Sequence, residues 1–427
     1  MDLFVRFAKH ALSAVCAAII LLMTACVARA DQPLTLDQLI RAALEVNPTV
    51  KAARERWYSA NHQIKQNYVP VDPLFGYSNI DSPNFPLYES SLHQIVASQS
   101  LQFPGKALLQ GDQAKRSAEI ARLTYEATIR DVRAQVEVAY YQLALDTALG
   151  GVTEALVTSI NQVVKVTEIA FATSQVTQSD FIAAELSGAA AEQQLQIYKL
   201  RVQNDRTQLN TLLYRRPDEP LVVEDGLYLK PIGISLDRLI DAAEQTRQEI
   251  MQAALTARNV ADAETLTKME YLPDYTVTYN FDDYLLTTAA PAPNRPEDHT
   301  LGIIFNVPIY FWWRQREDVQ KSFHNLAAAR EDLDSLKSQT AAAVITLYRT
   351  ASLAAKQAGI FRASLVPLAL QGYQVSLVGY QTGKVNFAQL QNAWQQVYAT
   401  RVAQLQLSNQ FLAQRVALEQ TVGAPIP

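Results

Sequence analysis

The chain repeats itself. Thr35-Leu36-Asp37-Gln38-Leu39-Ile40 returns 200 residues later as Ser235-Leu236-Asp237-Arg238-Leu239-Ile240, and Ala42-Ala43 returns as Ala242-Ala243. Tyr68-Val69-Pro70 returns as Tyr271-Leu272-Pro273 at an offset of 203. Phe171, Thr173, Val176, Phe181 and Ala184 face Tyr380, Thr382, Val385, Leu390 and Ala393 at an offset of 209. Val202 and Leu209 face Phe411 and Leu418 in the same register, with Leu195 against Gln404 a mismatch inside it. Offsets that only grow, in small steps, are what a duplicated unit with small insertions leaves behind. The fold must then be two copies of one set of elements.

Each copy has the same order. In residues 31–214 a helix runs from about Leu34 to Asn67, with Thr35 and Asp37 suited to its N-terminus. A strand pair is expected within 71–103, then a long helix from Lys106 to about Ala170, a break at Thr173-Ser174, and a last helix from Thr177 to about Leu213. Residues 235–423 repeat this. A helix starts at Ser235, a strand pair falls within 272–311, and long helices cover 314–421 with a break at Gly383. Residues 215–234 link the copies, and Pro217, Pro220, Pro231 and Gly233 keep them out of any helix. Residues 424–427 are a tail.

The strands alternate. Tyr275, Val277, Tyr279 and Phe281 interleave with Thr276, Thr278, Asn280 and Asp282. Leu301, Ile303, Phe305, Val307, Ile309 and Phe311 interleave with Thr300, Gly302, Ile304 and Asn306, and Tyr310 to Trp313 would close this strand as an aromatic girdle. Ile95, Ala97, Leu101 and Phe103 keep the pattern in the first copy, interrupted by Gln99. Period two with one apolar face suits a transmembrane barrel strand. Taken alone it equally suits a soluble hairpin packed on helices.

The helices separate those readings. From Lys106 to Ala170 there is no proline, which gives roughly 100 Å of helix. Phe181, Gly188, Leu195, Val202 and Leu209 recur every seven residues, as do Leu390, Val397, Phe411 and Leu418, with Gln404 interrupting. Tyr398, Leu405 and Leu412 run beside that gap. A seven-residue seam means coiled-coil packing. The other faces are rich in Gln, Ala and Ser, which suits helices set side by side around a wet interior.

The N-terminus reads as an export signal. Arg6, Lys9 and His10 precede an apolar run from Ala11 to Met23. Ala28-Arg29-Ala30 before Asp31 fits signal-peptidase cleavage, giving a signal of 1–30. Met23-Thr24-Ala25-Cys26 fits a lipoprotein box, giving a signal of 1–25 and a lipidated Cys26. Both stay open. The two cysteines, Cys16 and Cys26, lie in this segment, so the mature chain has neither a disulfide nor a thiolate metal site. No later stretch is an uninterrupted apolar run of helix-spanning length, so a membrane crossing would have to be by strands.

Several chemistries find no support. Net charge is -5 with no basic stripe, which argues against nucleic acid as a partner. The five histidines, His10, His62, His93, His299 and His324, are not at metal-ligand spacing. Phe103-Pro104-Gly105-Lys106 lacks the first glycine and the Ser/Thr of a phosphate loop and reads as a strand-to-helix turn. No catalytic constellation and no cofactor motif is found, so no enzyme is expected.

The mature chain resembles the TolC-type outer-membrane efflux family over nearly its whole length. The features that carry this are Leu34-Thr35-Leu36-Asp37 with Asn47-Pro48, Gln99 through Lys106 leading into the long helix, Ala139-Tyr140-Tyr141, and the turn Tyr380-Gln381-Thr382-Gly383. Around Phe103-Pro104-Gly105-Lys106 the likeness leans toward the heavy-metal branch. The resemblance implies a mainly α chain with a small membrane β part. It implies a homotrimer in outer-membrane lipid, with a periplasmic α-barrel, a 12-stranded transmembrane β-barrel, and a belt near residues 215–234 and the C-terminal tail. It implies a passive channel that works with a periplasmic adaptor and an inner-membrane pump. A structural or adhesive outer-membrane protein without transport is the alternative.

The resemblance also implies a periplasmic gate at the two helix turns. Asp180 falls at the family's first-turn aspartate, and Tyr380 at a second-turn tyrosine able to bond to it. Where the family's second turn carries an arginine this chain has Val385, with Lys384 beside it. The two pore-ring aspartates correspond to Gln389 and Asn392, which would attract cations far less than carboxylates. On residue chemistry alone, Asp180 equally reads as a helix N-terminal charge.

Overall fold

The computed structural model describes residues 34–80, 92–224, 227–283 and 298–426. The export signal, with Cys26, lies outside these residues, as do the segments joining the strands of each pair. The elements are α1 (Leu36–Val46), α2 (Pro48–Tyr68), β1 (Leu74–Ile80), β2 (Leu92–Leu101), α3 (Lys106–Ala172), α4 (Gln178–Leu212), α5 (Leu236–Thr246), α6 (Gln248–Met269), β3 (Tyr275–Asp283), β4 (Asp298–Phe305), α7 (Arg314–Ile360), a π turn (Phe361–Leu365), α8 (Val366–Gln381) and α9 (Phe387–Val422). The second half repeats the order of the first, with its long helix divided at the π turn into α7 and α8.

The opening helix of each half is two helices. Asn47 ends α1 and donates its N–H to the Ala43 carbonyl at 2.9 Å, and Pro48 begins α2, where a missing N–H costs nothing. Arg247 does the same in the second half, donating to Ala243 at 3.1 Å without any proline. Leu39, Ala43 and Val50 are buried, and so are Leu239, Ala243 and Ile250, each 200 positions on. The repeat therefore holds at the level of packing.

The chain divides into two compact units. One comprises Thr49–Thr128 and Asp241–Ala342. It holds a four-stranded antiparallel sheet in the order β1-β2-β3-β4, so the two strand pairs join through β2 and β3. Phe75, Tyr77, Ile95, Tyr279, Leu301, Ile303 and Phe305 are apolar and exposed. The register puts them on one face, while Ser78, Gln94, Thr278, Asn280 and Asp282 share the other. Ser78 donates to Gln94 at 3.2 Å, and Gln94 donates to Asp282 at 2.9 Å. The polar face is thus hydrogen-bonded across three strands. Ile304, 60% exposed, is an apolar exception on that face.

β4 is shorter than its alternation suggests. It stops at Phe305, where the Asn306 N–H closes onto the Asp274 carbonyl at 2.9 Å. Pro308 has no donor for a ladder. Tyr310 to Trp313 instead form a turn into α7, with the Trp313 and Arg314 N–H groups on the Tyr310 carbonyl at 3.1 Å. In the first half, Phe103 to Lys106 are the expected turn. Gly105 takes φ +101°, and Lys106 is buried with its Nζ 2.9 Å from Asp274, which also accepts from the Phe103 N–H at 2.8 Å.

The other unit comprises residues up to Pro48, Ile129–Ile240 and Ala343–Pro427. The seven-residue seams are buried within it. Leu195, Leu209, Leu390, Phe411 and Leu418 are nearly inaccessible, and Gly188 is buried against Ile160 and Val164 of α3. The described residues of 215–234 pack here too. Leu227, Leu229 and Ile232 lie on the cluster of Ala351, Ala354, Phe411 and Leu412, and the Tyr140 hydroxyl donates to the Glu224 carbonyl at 2.8 Å. Arg415 ties the C-terminal tail by donating to the Ile426 carbonyl at 2.8 Å.

The long helix of the second half is interrupted. Its start, Arg314, lies 208 positions beyond Lys106, yet its closing turn at Gly383 lies 209 beyond Ser174. The extra residue is taken up in the π turn, where the Val366 N–H reaches back to the Phe361 carbonyl. A π turn is a one-residue insertion in an α-helix. Pro367 follows it at the head of α8, where its absent N–H is tolerated. Among the described residues one helix, α3, is long and apolar enough by composition to cross a membrane, but 44% of its apolar window is buried inside the protein.

Candidate functional site: the paired helix turns

The turns α3–α4 and α8–α9 are one structure built twice. Ser174 and Gly383 both take left-handed backbone, φ +59° and +72°. The N–H of Gln175 returns to Ala170 and that of Lys384 to Gly379, each at 2.8 Å. The Thr173 and Thr382 hydroxyls bond back to the carbonyls of Ile169 and Val378 at 3.0 and 2.9 Å. Left-handed residues of this kind end helices by satisfying the last carbonyls. Glycine does so without steric cost in the second turn, and Ser174 is the strained counterpart in the first.

The following helices are capped at matching positions. Thr177 caps α4, with its hydroxyl accepting from the Asp180 N–H at 3.2 Å. Asp180 reciprocates, its carboxylate accepting from the Thr177 N–H at 3.3 Å and from the Thr177 hydroxyl at 2.9 Å. This is a capping box with Asp in the third position. Asn386 caps α9, accepting from the Gln389 N–H at 2.9 Å. The Gln389 side chain does not reciprocate, so it stays exposed.

Below the turns lies a core of Val157, Ile160 and Val163 from α3, Ala184, Ala191 and Leu195 from α4, and Phe387, Leu390 and Trp394 from α9. Tyr380 packs on it edge to face with Phe387, centroids 6.2 Å apart. The Tyr380 hydroxyl is 2.9 Å from the Thr167 hydroxyl, which itself donates to the Val163 carbonyl at 2.9 Å. Phe171, the counterpart of Tyr380, stacks on Phe181 at 5.8 Å.

The predicted gate residues therefore fall as follows. Asp180 is held in its cap, and Tyr380 is anchored to α3 through Thr167. No hydrogen bond joins the two within one chain. Lys384 is exposed and makes no ion pair among the described residues. Gln389 and Asn392 are exposed on the first turns of α9, forming an uncharged amide row with Gln396. Thr177 and Thr167 are partners the sequence reading missed. Thr-x-x-Asp ahead of an apolar helix was a legible signal for the first. Nothing local signals the second, which lies 213 positions from Tyr380. No metal-holding group of His, Cys, Asp or Glu occurs among the described residues.

Each half of the chain thus carries long helices, a strand pair and a matched capped turn between its last two helices. The model of the outer membrane efflux protein family matches residues 39–213 and 239–424, once for each half. The chain belongs to that family and is an outer-membrane efflux channel protein. No curated protein matches it by sequence. Among solved structures it is similar to the outer membrane protein VceC of Vibrio cholerae, at 17% identity and TM-score 0.76, covering 92% of this chain and 97% of that one. It is similar to the CmeC channel of Campylobacter jejuni, at 15% identity and TM-score 0.73, covering 92% and 86%. It is also similar to the open state of the MtrE channel of Neisseria gonorrhoeae, at 14% identity and TM-score 0.76, covering 91% and 89%. At these identities the likeness shows a shared fold.

Proposed function

We propose that three copies of the chain close into one tunnel that passively conducts substrates delivered by a periplasmic adaptor and an inner-membrane pump. The observation that carries this is the sheet. Its four strands end on two edges, β1 and β4, that pair with nothing among the described residues, and its apolar face is exposed. Open apolar edges are an aggregation hazard unless another strand covers them. Three copies joined β4 to β1 leave no edge and give twelve strands, within the range of transmembrane barrels. The apolar face then meets lipid and the polar face lines the lumen. No catalytic role is part of this reading.

The gate is the pair of turns. Asp180 and Tyr380 supply a carboxylate and a phenol that can meet between neighbouring chains, at a cost to the cap and to the Thr167 contact. A phenol–carboxylate bond is worth about 1.5–3 kcal/mol where partly buried. Three such links hold the closed state by several kcal/mol, and an adaptor that prefers the open state shifts the balance. Lys384 adds a free cation at the rim. With amides at Gln389 and Asn392, the constriction attracts cations weakly.

Planar-bilayer recording of the purified protein tests both levels. A conducting trimer supports the channel, and a monomer without conductance supports the structural or adhesive alternative. Asp180→Asn and Tyr380→Phe should each raise conductance. Parent-like conductance with only lower thermal stability would leave Asp180 with its capping role alone.

A further inference from the structure

At one end of the sheet, where β3 begins, β4 ends and α7 starts, lies a polar recess of about 510 Å³. That volume lies within the range of small-molecule sites. Four charged side chains line it: Lys106, Glu270, Asp274 and Arg314. Lys106 is buried, and Asp274 neutralises it at 2.9 Å. One charge of each sign is left. Glu270 and Arg314 are both exposed, and neither forms an ion pair or a side-chain hydrogen bond among the described residues, with each other included.

Two further observations point to an occupant. The side-chain oxygen of Gln315, which also lines the recess, is buried without a hydrogen-bond partner among the described residues. A buried acceptor of this kind calls for a donor. Beside the recess, Tyr310, Trp312 and Trp313 stand 65%, 65% and 74% exposed, on the turn that follows β4 rather than within the strand. Tyrosine and tryptophan with so much open surface suit the headgroup level of a bilayer.

A recess with one free anion, one free cation and an orphaned acceptor fits a zwitterion whose positive end donates hydrogen bonds. The guanidinium takes a phosphate. The carboxylate and the Gln315 oxygen take a primary ammonium. An anionic lipid without an ammonium meets Glu270 unpaired, and a quaternary ammonium has no N–H for Gln315, so both are disfavoured. We infer that this recess binds the headgroup of phosphatidylethanolamine, with its phosphate on Arg314 and its ammonium on Glu270 and Gln315. The inference rests on the barrel reading, which brings this end of the sheet to the surface of the bilayer.

The test is native mass spectrometry of the purified full chain in detergent, titrated with equimolar dioleoyl phosphatidylethanolamine, phosphatidylglycerol and phosphatidylcholine. One phosphatidylethanolamine per chain is expected, retained at least tenfold over the other two. Glu270→Gln should bring phosphatidylethanolamine and phosphatidylglycerol to equal occupancy, and Arg314→Gln should lower phosphatidylethanolamine to the level of phosphatidylcholine. Glycerophosphoethanolamine, the headgroup without its acyl chains, should not displace the lipid at equal concentration. Equal retention of the three lipids by the parent chain overturns the inference, as does displacement by the free headgroup or a variant that keeps the parent's preference. Should either variant fail to fold, the three lipids on the parent chain still decide. Planar-bilayer conductance of the same preparation separates the two levels. A conducting protein without lipid preference overturns this site and leaves the channel standing, whereas a chain that does not conduct and shows no lipid preference overturns both.

Discussion

Asp146 of α3 and Asp205 of α4 form a carboxyl pair between two helices. The Asp146 side chain is 4% exposed, accepts from the Gln142 amide at 2.9 Å, and has the Arg201 guanidinium 4.0 Å away. The Asp205 Oδ2 is buried without a hydrogen-bond partner. Burial, then the hydrogen bond to Asp146 and its charge, push the Asp205 carboxyl up from 3.8 to about 7, with Arg201 opposing. The folded chain therefore keeps a proton on the pair until about pH 7, while the unfolded chain releases it near pH 4. Between these values the folded state binds more protons, so its stability falls as pH rises and the loss is complete above about pH 7. The full shift would correspond to about 4 kcal/mol. Asp205 is only partly buried, so solvent screening reduces this to about 1–2 kcal/mol. Asp205→Asn keeps a donor facing Asp146 at every pH. Thermal unfolding followed by circular dichroism from pH 4 to 8 should show the parent losing a few degrees relative to Asp205→Asn, which becomes the more stable above pH 7. Parallel profiles for the two chains would refute the shared proton.

Two further substitutions probe packing and the strand-to-helix turn. Leu390→Ala empties a fully buried site between the seams beneath the turns and should cost about 2–5 kcal/mol, read as a lower unfolding midpoint with unchanged helix content. Lys106→Met removes the cation from Asp274 and should cost about 1–3 kcal/mol. The Lys106→Met/Asp274→Leu double variant should recover part of that loss in the same melting assay.

The large periodicities were legible because packing enforces them. The heptad rows through Leu195 and Leu209, and through Leu390 and Leu418, are buried as their spacing requires. The alternation of β3 likewise separates an apolar from a polar face. What stayed hidden depends on single residues or on distant ones. Asn47-Pro48 breaks the first helix and could have been read as a helix start, but Arg247-Gln248 breaks its counterpart with no proline to announce it. The π turn shows in sequence only as an offset growing by one, which marks an insertion without its conformation. The aromatic run from Tyr310 to Trp313 continues the alternation of β4, yet Pro308 and the bond from Asn306 to Asp274 end the strand first. At the candidate site, Asp180 and Tyr380 were singled out by resemblance. Their partners Thr177 and Thr167 come from a local cap and from a contact between α3 and α8.

The central claim is that the exposed apolar face of the sheet meets lipid and its polar face lines a water-filled lumen across the outer membrane. Single cysteines at Tyr279 and Asn280 test it, because these neighbours on β3 point to opposite faces. Treated in intact cells with a membrane-impermeant maleimide, the Asn280→Cys chain should label readily and the Tyr279→Cys chain should stay unlabelled. Equal labelling of both would contradict the barrel.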